Sequence, residues 1–178
     1  MSYNPLLAGI HAAKDPITAE ARTAHVQSVI DRLITNSPIY SILLSTIKLV
    51  DATPGHVTTQ LLLGKNHVNS RGTLHGAVSA TIIDFTTGLA VASWDLRDTT
   101  GASIDMHISY LGTANVGDTL EIVSTANKVG GSLSFSTIRI SKLQEDGTST
   151  LVTLGQHTKY GRQQNKATAA ASSESQKA

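Results

Sequence analysis

Between positions 15 and 36 the apolar residues recur at helical spacing. Val26, Val29, Ile30, Leu33 and Ile34 fall at i, i+3, i+4, i+7 and i+8, which gives one packing stripe and a wet remainder. Asp15 suits the cap of such a helix, Pro16 its first turn, and Asn36-Ser37-Pro38 stops it. The segment LLSTIKLVDATPGHVTTQLLLG then reads as two strands turning at Thr53-Pro54-Gly55. A long helix over 73–93 follows. Leu74, Val78, Ile82, Phe85, Leu89 and Ala92 cover one side of it; Ala77, Ala80, Ile83, Ala90 and Val91 cover much of the rest. A helix apolar nearly all round belongs in a core. Four strand-like runs complete the pattern: ASIDMHISYL, DTLEIVSTANKV, LSFSTIRISKLQ and STLVTLGQHTKY. The last three are joined by turns at Gly130-Gly131 and Glu145-Asp146-Gly147.

Consecutive strands linked by short turns imply an antiparallel sheet, so this order of elements predicts an α+β domain. Six or so strands and a single apolar helix suggest a curved sheet wrapped round that helix. We expect an N-terminal extension with the amphipathic helix over 1–37, the main domain over 38–161, and a polar tail over 162–178. The tail lacks periodicity and is expected to be disordered.

Composition narrows the classes. The chain has 178 residues, 40% of them hydrophobic, enough for one ordinary soluble domain with a real core. A formal net charge of +1 argues for neither a nucleic-acid partner nor an anionic membrane surface. With no Cys, disulfides, thiolate nucleophiles and Cys-ligated zinc are excluded. No apolar run reaches the roughly 18 residues of a membrane span without polar interruption. The first twenty residues lack a charged n-region followed by an apolar core, so no secretory signal is read there. A cytoplasmic location is the working expectation, with an organellar address left open.

One carboxylate stands out. Asp84 is the only formal charge in the body of the central helix, and no Lys, Arg or Glu occurs between Gly72 and Trp94. Burying an unpaired carboxylate is expensive, so it needs a partner or a raised pKa. It could sit exposed at a seam or merely bond Thr81 or Thr87. Its neighbours Ala80, Thr81, Thr87 and Gly88 are small, however, and leave room for a partner chain or a ligand. At the helix start, with Thr73 near the cap, the N–H groups of Leu74, His75 and Gly76 lack intrahelical partners and suit an oxyanion. Gly76 and Asp84 are eight residues apart, about 12 Å along a helix. One small carbonyl cannot be reached by both from a single helix. If both act, they come from different chains, and a homodimer with sites at its interface is predicted.

At these residues the chain resembles a known family. IKLVDATPGHV, HVNSRGTLHGAVSATIIDFTTGLA, SIDMHISYL and GQHTKYG are similar to hotdog-fold acyl-CoA thioesterases of the PaaI type, most of all the thioesterase superfamily member 2 group. The likeness runs from about residue 40 to 161. It implies a hotdog fold, homodimers that commonly pair into tetramers, and hydrolysis of acyl-CoA to free acid and CoA without a cofactor or metal. Residue by residue, Asp84 resembles the catalytic carboxylate, acting as general base or nucleophile. Gly76 resembles the backbone donor to the thioester oxygen, and Asn69 the amide that holds the thioester or the lytic water. His75 matches a helix-start His of secondary importance. Ser103 falls where the family has a Ser or Thr that orients water, one residue further on than usual. Strict alternation with Ile104, Met106, Ile108 and Tyr110 points Ser103 away from the helix unless the strand starts irregularly.

Other constellations are weaker. His11, His25, His56, His67, His75, His107 and His157 form no H-x-x-x-H pair, so no metal site is expected. There is no G-x-S-x-G elbow and no P-loop. Arg71, Lys128, Lys159 and Arg162 are candidates for the CoA phosphates, although isolated surface cations are usually just solvated. Trp94 is expected to pack near the helix end. The competing reading is a catalytically silent hotdog domain that binds acyl-CoA or fatty acid; a pure binder need not keep a buried charge. A hydratase on the same fold would need a His–Asp pair on one face, which His75 and Asp84 do not supply.

Overall fold

The computed structural model describes residues 17–161. The elements run α1 (Ala19–Asn36), α2 (Pro38–Leu44), β1 (Lys48–Thr53), β2 (His56–Leu62), a 3-10 turn (Lys65–His67), α3 (Gly76–Asp95), β3 (Ala102–Tyr110), β4 (Thr119–Val129), β5 (Leu133–Leu143) and β6 (Ser149–Tyr160). The strands form one antiparallel sheet in the order β1-β2-β4-β5-β6-β3. Chain order is broken only by β3, which lies at the far edge beside the last strand.

α3 runs against this sheet. Ile82, Ile83, Phe85 and Leu89 are buried in a single core with Val57, Leu61, Leu120, Ile122, Ile138 and Ile140 from the strands. Each such side chain contributes about 1.5–3 kcal/mol on leaving water. By length and composition α3 could cross a membrane, but most of it is covered by the domain, which accounts for its apolarity.

Val26, Val29 and Ile30 of α1 enter the same core, with Leu33 and Ile34 packed on it, as the stripe predicts. The start of α1 differs from expectation. Asp15 and Pro16 lie outside the described residues, and the cap is Thr18, whose hydroxyl accepts from the Ala21 N–H at 3.1 Å. α1 is fastened to the far end of α3 by donors placed along it. The Arg22 guanidinium, itself buried, donates to the carbonyls of Ser93 and Trp94. Arg32 donates to the carbonyl of Asp98, and His25 Nε2 bonds that of Arg97. These carbonyls end or follow a helix and would otherwise be orphaned.

Two further departures matter for the site. The seven residues PIYSILL form α2, a helix the apolar pattern does not announce. α3 begins at Gly76 with His75 as its cap, three residues later than expected, and its last residue is Asp95. The β1–β2 turn falls at 54–55 as read. Gly55 there has φ +72°, and a Cβ would come within 2.7 Å of the Trp94 ring, so Trp94 does pack at the helix end.

Candidate active site

Asp84 lies midway along α3, its side chain 33% exposed. Its partners come from three elements. Ser103 Oγ (β3) donates to Oδ1 at 2.8 Å, Lys159 Nζ (β6) donates to the same oxygen at 2.8 Å, and Tyr40 Oη (α2) donates to Oδ2 at 2.7 Å. Burial pushes the carboxyl pKa up, but the bond from Lys159, the bond from Tyr40, the Lys159 charge and the Ser103 bond together bring it down to about 2. The group is therefore ionised at neutral pH.

Ser103 reaches the carboxylate because β3 starts irregularly. Ser103 pairs with Lys159 and Asp105 with Thr158, which leaves Ile104 as an extra residue in the ladder. A bulge of this kind turns the residue before it onto the face it would otherwise avoid. Ile104, read as facing the helix, is exposed instead, while Met106 and Ile108 pack on the core.

Lys159 is not the surface cation expected from the sequence. Its side chain is 3% exposed, and its ammonium is spent on Asp84. Nor is the space beside Asp84 open on the Gly88 side. A Cβ at Gly88 would stand 2.7 Å from Thr100 Cβ and 3.4 Å from Lys159 Cε, so the small residue makes way for side chains of the same chain.

His157, which the sequence does not single out, completes the group. Thr87 Oγ1 donates to the Ile83 carbonyl at 2.6 Å, so its oxygen accepts from His157 Nδ1–H at 2.7 Å. That fixes the tautomer. Nε2 carries a lone pair with no hydrogen-bond partner among the described residues, 3.9 Å from Asp84 Oδ1. Burial and the Lys159 charge push the imidazole down to about 4, against the pull of Asp84 and Asp105, so His157 is neutral at pH 7 and no ion pair forms.

These shifts make an acid-stability prediction. A neutral buried His157 leaves the unfolded chain to bind the proton first. Its contribution is whole above its ordinary 6.5 and lost as pH falls to about 4. Asp84 adds a contribution that is whole above 3.8 and lost towards about 2. Melting temperatures should therefore fall in two stages on acidification. His157→Asn, whose amide can keep the bond to Thr87, should flatten the upper stage, which amounts to at most about 3 kcal/mol. An unchanged slope between pH 6.5 and 4 in that variant would sink the assignment.

The other end of α3 is more economical than the sequence suggests. Leu74 N–H bonds the Ala114 carbonyl at 2.8 Å, and His75 N–H bonds that of His67 at 2.9 Å. Ala77 N–H is capped by His75 Nδ1 at 3.0 Å, which leaves the proton of His75 on Nε2. Of the three N–H groups expected to be free, only Gly76 has no bond among the described residues. A Cβ at Gly76 would meet the Tyr110 ring at 3.3–3.4 Å.

Asn69 shapes the loop before α3. Its Oδ1 accepts from Arg71 N–H at 2.9 Å and its Nδ2 donates to Thr73 Oγ1 at 2.9 Å. Arg71 is exposed in this loop and Lys128 is exposed on β4; Arg162 lies outside the described residues.

Comparison with known proteins agrees with this architecture. Residues 71–148 match the family described as the thioesterase superfamily. Human acyl-coenzyme A thioesterase 13 is 32% identical over 129 residues, which is 72% of this chain and 89% of that protein. Zebra fish thioesterase superfamily member 2 superposes with a TM-score of 0.67 at 28% identity, covering 82% of this chain and 99% of that one. The PaaI protein of E. coli shares the fold, with a TM-score of 0.61 at 16% identity, over 78% and 94% of the two chains. A long central helix against a six-stranded antiparallel sheet, with an ionised carboxylate at mid-helix and an open N–H at its start, is thus a hotdog fold, and this chain belongs to the thioesterase superfamily.

Proposed function

We propose that the protein hydrolyses acyl-CoA thioesters to free carboxylic acids and CoA, at sites that pair Asp84 of one copy with Gly76 of another. The observation that carries this is the separation of the two groups. Both open onto the surface of one helix, eight residues or about 12 Å apart. A carbonyl receiving the Gly76 N–H of one helix can meet a carboxylate only from a second helix alongside.

The sheet offers a way to bring that helix in. Among the described residues β3 pairs on one side only, with β6, and it carries exposed Ile104 and Tyr110. Edge strands of this kind join to a second copy. A homodimer, and a dimer of dimers, fit the same reading.

In the reaction, Asp84 takes a proton from a water whose oxygen attacks the thioester carbonyl. Gly76 N–H holds the oxyanion that develops. The carbon–sulfur bond then breaks, and the proton on Asp84 passes to the departing thiolate. Ser103 and Lys159 keep the carboxylate in place and ionised, and exposed Arg71, in the loop leading to α3, is suited to the phosphates of CoA. A thioester is already activated, so this pair needs neither a metal nor a serine nucleophile.

The test uses thiol release from a panel of acyl-CoAs, short, long and phenylacetyl. With no Cys in the chain, any new thiol comes from CoA. Asp84→Asn and Gly76→Pro chains should each be nearly inactive alone. Mixed by co-expression they should recover roughly a quarter of the wild-type rate, because half the dimers are mixed and each holds one intact site. Recovery absent from mixed dimers would confine the site to one chain. Binding of acyl-CoA with no thiol release by the wild type would make the protein a silent binder.

A further inference from the structure

We infer that Tyr40 is a positioning residue for the Asp84 carboxylate: its hydroxyl sets the plane of the group and leaves one lone pair, on Oδ2, as the position from which the carboxylate can take a proton. This rests on the reading above that Asp84 is the reacting group.

An ionised carboxylate offers about four acceptor positions, two on each oxygen. Ser103 and Lys159 both donate to Oδ1, at 2.8 Å each, and fill it. Tyr40 donates to Oδ2 at 2.7 Å and fills half of the other oxygen. One position remains. It lies on the oxygen that carries a single neutral donor, away from the ammonium.

The placement of Tyr40 is built rather than incidental. Its ring meets Phe85, the residue after Asp84, edge to face, with centroids 5.0 Å apart and planes at 69°. That packing alone would be satisfied by Phe; the hydroxyl adds a polar group whose burial is tolerated only where it finds an acceptor. α2, which carries it, has seven residues and is too short to persist unaided. It is tied down from the segment leading to α3. Asn66 Nδ2 donates to the Ile42 carbonyl at 2.6 Å, His67 Nε2 to that of Leu43 at 2.7 Å, and Leu44 is fully buried in the core.

Tyr40 also stays a donor. Burial, the bond to Asp84 and the charge of Asp84 all push its phenol upward, so it does not ionise where the protein works. The other titratable groups facing the carboxylate are Lys159 and His157 on β6, with Asp105 of β3 acting on His157. Among the described residues, Tyr40 is the one hydrogen-bond donor to Oδ2.

The test is Tyr40→Phe, which keeps the ring against Phe85, measured beside Asp84→Asn. kcat for acyl-CoA hydrolysis should fall about ten-fold or more, the effect of losing a bond to a charged group, while KM changes less than about two-fold. The titration midpoint of Asp84, followed by NMR at its carboxyl carbon, should move upward by at least about half a unit. A merely structural tyrosine would move neither. If Asp84→Asn is inactive but Tyr40→Phe leaves kcat and the midpoint unchanged, the inference fails and the proposed function stands. A rise in kcat also overturns it, because the hydroxyl would then be restraining the carboxylate. If Asp84→Asn keeps the wild-type rate, the reading beneath both is wrong.

Discussion

Asp84→Asn should lower thiol release by roughly 10²–10⁴-fold, the span of a lost general base, and should destabilise the fold as well. The second effect follows from Lys159. Its side chain is 3% exposed and its ammonium stands 2.8 Å from Oδ1. An amide leaves that charge buried without its counter-ion. Breaking a fully buried pair costs about 3–5 kcal/mol. Because the Asp84 side chain is 33% exposed, solvent screens part of this, and about 1–3 kcal/mol is expected. The two consequences separate in a double variant. Asp84→Asn with Lys159→Met removes the stranded charge, so thermal stability should return while activity does not. If activity returned with stability, the single variant's defect would be one of folding, and Asp84 would not be the reacting group.

Gly76→Pro should cost about 10²–10³-fold in kcat, the price of one oxyanion donor, with little loss of stability. Proline is ordinarily a poor probe in a helix, but Gly76 is the first residue of α3. No intrahelical bond uses its N–H, and proline is favoured at that position. The preceding residue must be extended, and His75 already is, at φ −73° and ψ 134°. The remaining disturbance is steric, since the Tyr110 ring stands 3.3–3.4 Å from where a Cβ would be. Gly76→Ala imposes that contact and keeps the N–H. The ratio of kcat between alanine and proline variants therefore reads the donor itself. Equal rates would show that the N–H does not contact the reacting oxygen.

The parts of this molecule that obey a repeating pattern were legible in its sequence. The six strands and the central helix follow from alternation, turn residues and an apolar stretch. Asp84 stood out because it breaks that stretch. What the sequence concealed lies in single contacts across the fold. PIYSILL is too short and too aliphatic to show a helical period, so α2 and its Tyr40 went unseen. Lys159 shares its side of β6 with Thr153, Gly155 and His157, and nothing apolar in that set marks it as the side that faces α3. Ile104 fits the alternation of β3 by composition, so nothing local signals the bulge that turns Ser103 inward. The cap moved from Thr73 to His75 because Thr73 is held in the loop by Asn69, a bond between side chains that no spacing rule announces.

The position of β3 has a consequence for the order in which the molecule can be made. β3 leaves the ribosome before β4, β5 and β6, yet among the described residues its one strand partner is β6, the last of these to be made. Until β6 emerges, β3 has no ladder to join, and Ser103 and Lys159 cannot meet at Asp84. A nascent chain that ends short of Ser149 can pair β1, β2, β4 and β5 but holds an exposed strand and an unneutralised carboxylate. The cluster of Ser103 and Lys159 around Asp84 thus waits for β6, and a chain stalled before that strand is a sheet with an open edge and an incomplete cluster.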